Sequence, residues 1–186
     1  MEFNDVITKR ASIRKYSNKS VSINHILECL EVARRAPSPD NLSIIKFVIV
    51  QDPKKIQEIA DACQQPFVND APVLVIVCSD KKDCEKLYYE RADIYVKQHV
   101  GAVIENLLLK ITDLGLASSW VGAFSDETIK RVLGIPDEID TEAVIPIAYK
   151  HKTSTEKQKE KNILDNLLYF DRWKNKAMKK PRMLRV

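Results

Sequence analysis

Apolar side chains recur at three- and four-residue intervals through much of this chain, and shorter stretches are almost unbroken apolar runs. The two patterns separate helices from strands. A first short helix is expected to follow Asn4 as N-cap and to end near Lys9. A second starts at Ser22 and runs to about Arg35, with Ile23, Ile26, Leu27, Leu30 and Ala33 as its apolar stripe and Arg34 and Arg35 in its last turn. Pro37 stops it, and PSPDN reads as a loop with two prolines and two Asx-type turn formers. KFVIVQD follows as a strand, DPKKIQEIADACQQ as a helix with Pro53 in its first turn, and APVLVIVCSD as a second strand, apolar on both faces.

Lys82 to Leu114 holds one glycine and no proline, and reads as helix broken near Tyr88 to Tyr95. In its later half Val100, Val103, Ile104, Leu107, Leu108 and Ile111 form a broad apolar face, which predicts a central, largely buried helix. LASSWVGAF is expected as strand and loop. SDETIKRVLG is a marked helix with Ser125 as N-cap and Gly134 as stop. TEAVIPIAYK is a strand in which Pro146 suggests an edge or a bulge. ILDNLLYFDRW is a further ordered element before a basic tail. Strands separated by helices predict a sandwich with helices covering a sheet, of α/β or α+β type.

The length of 186 residues fits one domain, and a hydrophobic fraction of 45% fits a globular chain with a real core. No apolar run is long enough to span a membrane, and the first residues lack the apolar core of a signal peptide. Cys29, Cys63, Cys78 and Cys84 form no C-x-x-C pair, and three scattered histidines add no metal pattern. The expectation is four reduced, buried thiols in a cytoplasmic protein and no metal site. The net charge of +4, concentrated at the C-terminus, comes with no zinc-finger, RNP or G-x-x-G pattern, which argues against nucleic acid as the partner.

Four glycines cannot build a G-x-G-x-x-G loop or a P-loop, so any phosphate must be held by side chains or by amides outside those motifs. No G-x-S-x-G elbow is present, and His25 and His99 read as structural. Anion recognition is the stronger signal. In TKRASIRKYS, Arg10, Ser12 and Arg14 alternate, so an extended backbone points them to one side. Two guanidinium forks and a hydroxyl suit a phosphate. Lys157, Lys159 and Lys161 alternate in the same way, and a solvated basic face is the alternative for both clusters. Ser38 and Asn41, in the turn, offer polar groups that can read the edge of a planar ring, or simply end a helix.

Taken together, these pieces resemble the flavin-dependent nitroreductase family. RASIRKY resembles its R-x-S-x-R signature, and ARRAPSPDN its A-x-x-A-P-S-x-x-N loop before a strand. FVNDAPVLVIV, ENLLLKITDLGLASSWVGAF, VLGIPDE with AVIPIAY, and KEKNILDNLLYFDRW match later segments in order, so the resemblance covers nearly the whole chain. It implies an α+β fold, an α/β/α sandwich around a mostly antiparallel sheet. It also implies one FMN-binding domain over residues 1–186, with 174–186 as a basic extension.

The resemblance further implies a homodimer with FMN at the subunit interface. NADH or NADPH would give hydride to flavin N5, and a nitroaromatic, quinone or similar flat oxidant would take it in a ping-pong cycle. No side-chain acid or base is then required. Arg10, Ala11, Ser12 and Arg14 would line the phosphate and ribityl chain, with Lys159 and Lys161 closing on the same phosphate. Pro37, Ser38, Pro39, Asn41 and Ser43 would reach the flavin, Ser38 from the partner subunit. Val121, Gly122 and Ala123 would present backbone near the N5 and O4 edge. Tyr88, Tyr89, Arg91 and Tyr95 would form a substrate face, either a lid or a plain surface helix.

The chain departs from the family at Ser43, Ile44 and Ile45, where Gln-Pro-Trp is frequent, and at Ala11, where an arginine is frequent. QQPFVND lacks the Glu and Tyr of the dehalogenase branch, which argues against deiodinase-like activity. A flavin-binding sensor or carrier and a basic nucleic-acid binder are the alternatives to a reductase.

Overall fold

The run Val73–Ser79 forms a strand buried at every position, which requires cover on both of its faces. The computed structural model describes residues 1–154 and 164–177. Among the described residues five strands form the sheet: β1 (Tyr16–Ser17), β2 (Ile45–Val50), β3 (Val73–Ser79), β4 (Ala117–Ser118) and β5 (Asp140–Lys150). Their order is β1-β5-β3-β2, with β4 also on β5. All strand pairs are antiparallel, and the helices lie between them in sequence, so the fold is α+β.

The helices are α1 (Phe3–Lys9), α2 (Ile23–Ala33), α3 (Pro53–Cys63), α4 (Lys82–Tyr88), α5 (Ala92–Asp113), α6 (Asp126–Leu133) and α7 (Leu164–Leu167). Alternation along β3 and β5 divides the core in two. Val73, Val75, Val77, Ile145 and Ile147 pack with Ile26, Cys29 and Ala33 of α2 and with Val103, Ile104, Leu107 and Ile111 of α5. Leu74, Ile76, Cys78 and Val144 pack with Ile56 and Ile59 of α3 and with Ile129 of α6. The result is helices, sheet, helices. Residues Met1–Glu156 form one compact unit, and Lys157–Val186, which contains α7, a second.

Local signals set most boundaries. Ser22, Asp52 and Ser125 cap α2, α3 and α6 by accepting from the amides of Asn24, Lys54 and Thr128. Gly134 ends α6 at φ 68°, where glycine carries no Cβ penalty. The break expected between Tyr88 and Tyr95 falls at Tyr89, whose φ 46° and ψ −121° belong to glycine-like backbone and separate α4 from α5.

Three expectations are corrected. First, α1 starts at Phe3 after Glu2, with Asn4 inside the first turn accepting from the Thr8 hydroxyl at 2.8 Å. Second, α2 ends at Ala33, and its buried face runs through Ile26, Cys29 and Ala33 while Ile23 and Leu27 are 42% and 52% exposed. Third, Pro146 lies in β5, which has neighbours on both sides. Val144 exchanges amide hydrogen bonds with Val121, so Pro146, two residues on, turns its nitrogen to the same side. There the chain leaves the sheet between Ser118 and Val121, and no strand partner is denied a donor.

Candidate functional site

Residues 10–14 are extended, as their alternation requires. Ile13 is buried, Ser12 and Arg14 are exposed, and Arg10 is half-buried. The Ile13 amide donates to the Ser118 carbonyl at 2.8 Å, and Ser12 bridges Ser118 in parallel register. This joins the R-x-S-x-R segment to the chain entering WVGAF, although more than a hundred residues separate them. Arg10 Nε lies 3.6 Å from Glu105 Oε1. The Arg14 guanidinium sits 5.8 Å from the centroid of the Phe67 ring and has no carboxylate partner among the described residues. Beside it Tyr16 is buried, and burial pushes its phenol well above the usual range against the pull of Arg14.

Val121 is fixed to β5 by its paired bonds with Val144. The next two residues, Gly122 and Ala123, are exposed, and among the described residues their amides donate to no backbone carbonyl. A Cβ at Gly122 would meet nothing nearer than Trp120 Nε1 at 3.9 Å. The fold itself therefore does not demand glycine there. The first cluster thus offers two guanidinium groups, a free hydroxyl and two open amides.

A second cluster forms around the Pro37–Asn41 turn. Asp40 and Asn41 take φ of 47° and 56°, left-handed backbone that short polar side chains tolerate. The His99 ring, buried on α5, holds this turn through Nδ1, 2.8 Å from the Pro37 carbonyl oxygen. A cavity of about 410 Å³ is lined by Pro37, Ser38 and Pro39 on one side and by Tyr88, Tyr95, Gln98, His99 and Ala102 on the other. Tyr88 and Tyr95 pack edge to face with centroids 4.9 Å apart. Arg91 lies 5.2 Å over the Tyr95 ring and donates from Nε to its hydroxyl at 3.0 Å. Tyr89 is 78% exposed and stands apart from this group, and Ser43 is exposed just before β2.

The two clusters are held by different faces of α5. Glu105, which meets Arg10, and His99, which meets Pro37, are six residues apart. At about 100° per residue they stand roughly 120° from each other around the helix. Lys159 and Lys161, the expected basic pair, lie outside the described residues. Among the described residues no group of His, Cys, Asp and Glu could hold a metal ion, and no helix is long and apolar enough to cross a membrane.

Phe67, Gln98, Ala102 and Glu105 were not singled out by sequence, and His99 was read as structural only. For α5 a signal existed. Tyr95, His99 and Ala102 follow i, i+4, i+7 spacing and mark one helical face. For Phe67 and Glu105 there was none, because their partners are distant in sequence.

The sequence profile described as the Nitroreductase family matches residues 7–67 and 60–149. A protein of Archaeoglobus fulgidus named for NADH dehydrogenase or NAD(P)H nitroreductase activity is 31% identical over 149 residues, covering 77% of this chain and 83% of that protein. An FMN reductase [NAD(P)H] of Bacillus subtilis is 28% identical over 142 residues, covering 72% of this chain and 55% of that one. The crystal structure of a protein of the same family from Clostridium novyi NT superposes with a TM-score of 0.74 at 27% identity, covering 94% of this chain and 96% of that one.

Proposed function

The chain belongs to the nitroreductase family, and on that premise we propose that it is an FMN-dependent reductase. It takes electrons from NADH or NADPH and passes them to flat oxidants such as nitroaromatics and quinones. The observation that carries this reading is the junction of residues 10–14 with 118–123, where the Ile13 amide meets the Ser118 carbonyl at 2.8 Å. That junction joins the segment bearing Arg10, Ser12 and Arg14 to the chain that leads on to the open amides of Gly122 and Ala123.

The donor set fits FMN, which is anionic at one end and a hydrogen-bond-accepting ring at the other. Arg10, Arg14 and the Ser12 hydroxyl hold the phosphate end, with Ala11 beside them. The Gly122 and Ala123 amides donate to the ring edge, and the bare Cα of Gly122 lets the backbone approach. When bound, FMN supplies the hydride chemistry at N5. The chain's part is to position and to exclude water, and donor and oxidant use the same place in turn.

The functional unit is a homodimer. The Pro37–Ser43 turn lies on another face of α5 from Arg10, so a second copy brings its own Ser38 and Asn41 to complete the site. Apolar side chains left exposed on α1 and α2, among them Phe3 at 70% and Leu27 at 52%, supply surface for such an interface. The compact unit Met1–Glu156 carries every described residue assigned to the cofactor.

Colour tests the reading. The purified protein is expected to be yellow and to bleach anaerobically with NADH or NADPH. Protein that stays yellow with either donor would favour a flavin carrier. Colourless protein that takes up no added FMN would end the proposal.

A further inference from the structure

The cavity beside the Pro37–Pro39 turn has walls of definite chemistry. Its volume of about 410 Å³ lies at the small end of ligand pockets, which run to roughly 300–1,000 Å³, and suits one or two fused rings. Tyr88 and Tyr95 meet at 89°, and Arg91 pins the Tyr95 hydroxyl, so the aromatic wall is braced before any ligand arrives. Ser38 and Gln98 can each donate or accept.

His99 is different. A carbonyl oxygen only accepts, so the 2.8 Å contact with Pro37 requires the proton of the neutral ring to sit on Nδ1. Nε2 is then an acceptor with no proton to give, and it has no partner among the described residues. His99 is 6% exposed and lines the cavity. A ligand that brings no donor leaves this nitrogen desolvated and unpaired.

We propose that His99 makes this cavity select planar aromatic ligands carrying a hydroxyl or amino donor, the oxidants of the reductase proposed above among them. The inference rests on the reductase reading for its chemistry, but the recognition belongs to the cavity alone. His99 is thereby a specificity-determining residue. Tyr88 and Tyr95 clasp the ring of the oxidant without choosing among its substituents.

The probes are 4-nitrobenzyl alcohol and its methyl ether, which share the reacting nitro group and differ in one hydroxyl donor. With the holoprotein at pH 8 and NADH, the alcohol is expected to show a KM roughly tenfold or more below that of the ether, at similar kcat. His99→Phe should raise the KM of the alcohol and erase the difference, whereas His99→Gln, which keeps both a donor and an acceptor, should retain part of it. Equilibrium dialysis of each probe against the oxidised protein, without NADH, should show the same preference. Equal KM and equal binding in the unmodified protein, or a preference that survives His99→Phe, would overturn the proposal. Dialysis needs no turnover. A protein that prefers the alcohol in dialysis yet oxidises neither NADH nor NADPH would refute the reductase reading and leave the selectivity of the cavity standing.

Discussion

Arg10 Nε lies 3.6 Å from Glu105 Oε1, so the first guanidinium of the R-x-S-x-R segment already faces a carboxylate of α5. Both side chains are partly exposed, at 27% and 47%, and such pairs contribute about 0–1 kcal/mol. A phosphate must compete with that carboxylate for Arg10. Glu105→Gln is therefore expected to tighten FMN binding by up to about fivefold, read as the Kd from quenching of FMN fluorescence. A weaker Kd would mean that Glu105 orients Arg10 instead of competing with the phosphate.

Much of this was legible in the chain because the signals are local. Caps at Ser22, Asp52 and Ser125, the stop at Gly134 and the wholly apolar run of β3 each fix an element from a few adjacent residues. The alternation of Arg10, Ser12 and Arg14 was local too, and the backbone there is extended as that pattern requires. What failed depends on neighbours. The inward face of α2 is set by α5 and the sheet, so Ile23 and Leu27, expected on it, are left exposed. Pro146 is admitted to a central strand only because the chain departs opposite it. The clamp between His99 and Pro37 spans 62 positions, and no local pattern announces it.

All four cysteines are free and buried. Burial pushes Cys29 up to about 12 and Cys63 and Cys78 to about 11, and it also raises Cys84. Thiolate is the reactive form, so at pH 8 almost none is available. The native protein should leave Ellman's reagent uncoloured over many minutes and release the full count of four only in denaturant. Rapid reaction of a native thiol would show that its packing opens on that timescale.

Asp113 closes the end of α5 by accepting from the Met1 amine at 2.6 Å and from Lys110 at 2.9 Å. These two bonds lower its pKa from 3.8 to about 2, the amine contributing most. A carboxylate depressed in the folded state contributes stability that is fully present above its unfolded value and lost as pH falls through the folded one. Asp113→Asn should therefore lower the melting temperature at pH 7, and the gap from the unmodified protein should close between pH 4 and pH 2. A gap of constant size across that range would assign the effect to packing. Acetylating Met1 should reproduce part of the loss.

Gly122 separates fold from function most cleanly. An added Cβ would meet nothing closer than 3.9 Å, and the backbone there is not in the left-handed region. Gly122→Ala should leave stability within about 0.5 kcal/mol of the original, as surface changes free of clash usually do. If glycine is there to let the flavin edge approach the amides of 122 and 123, the same change should weaken FMN binding by roughly tenfold or more, through the lost contact and its hydrogen bonds. Thermal denaturation without FMN and an FMN titration decide the matter together. Unchanged stability with weaker binding places the ligand over Gly122. Unchanged values in both would remove this glycine from the proposed cofactor site.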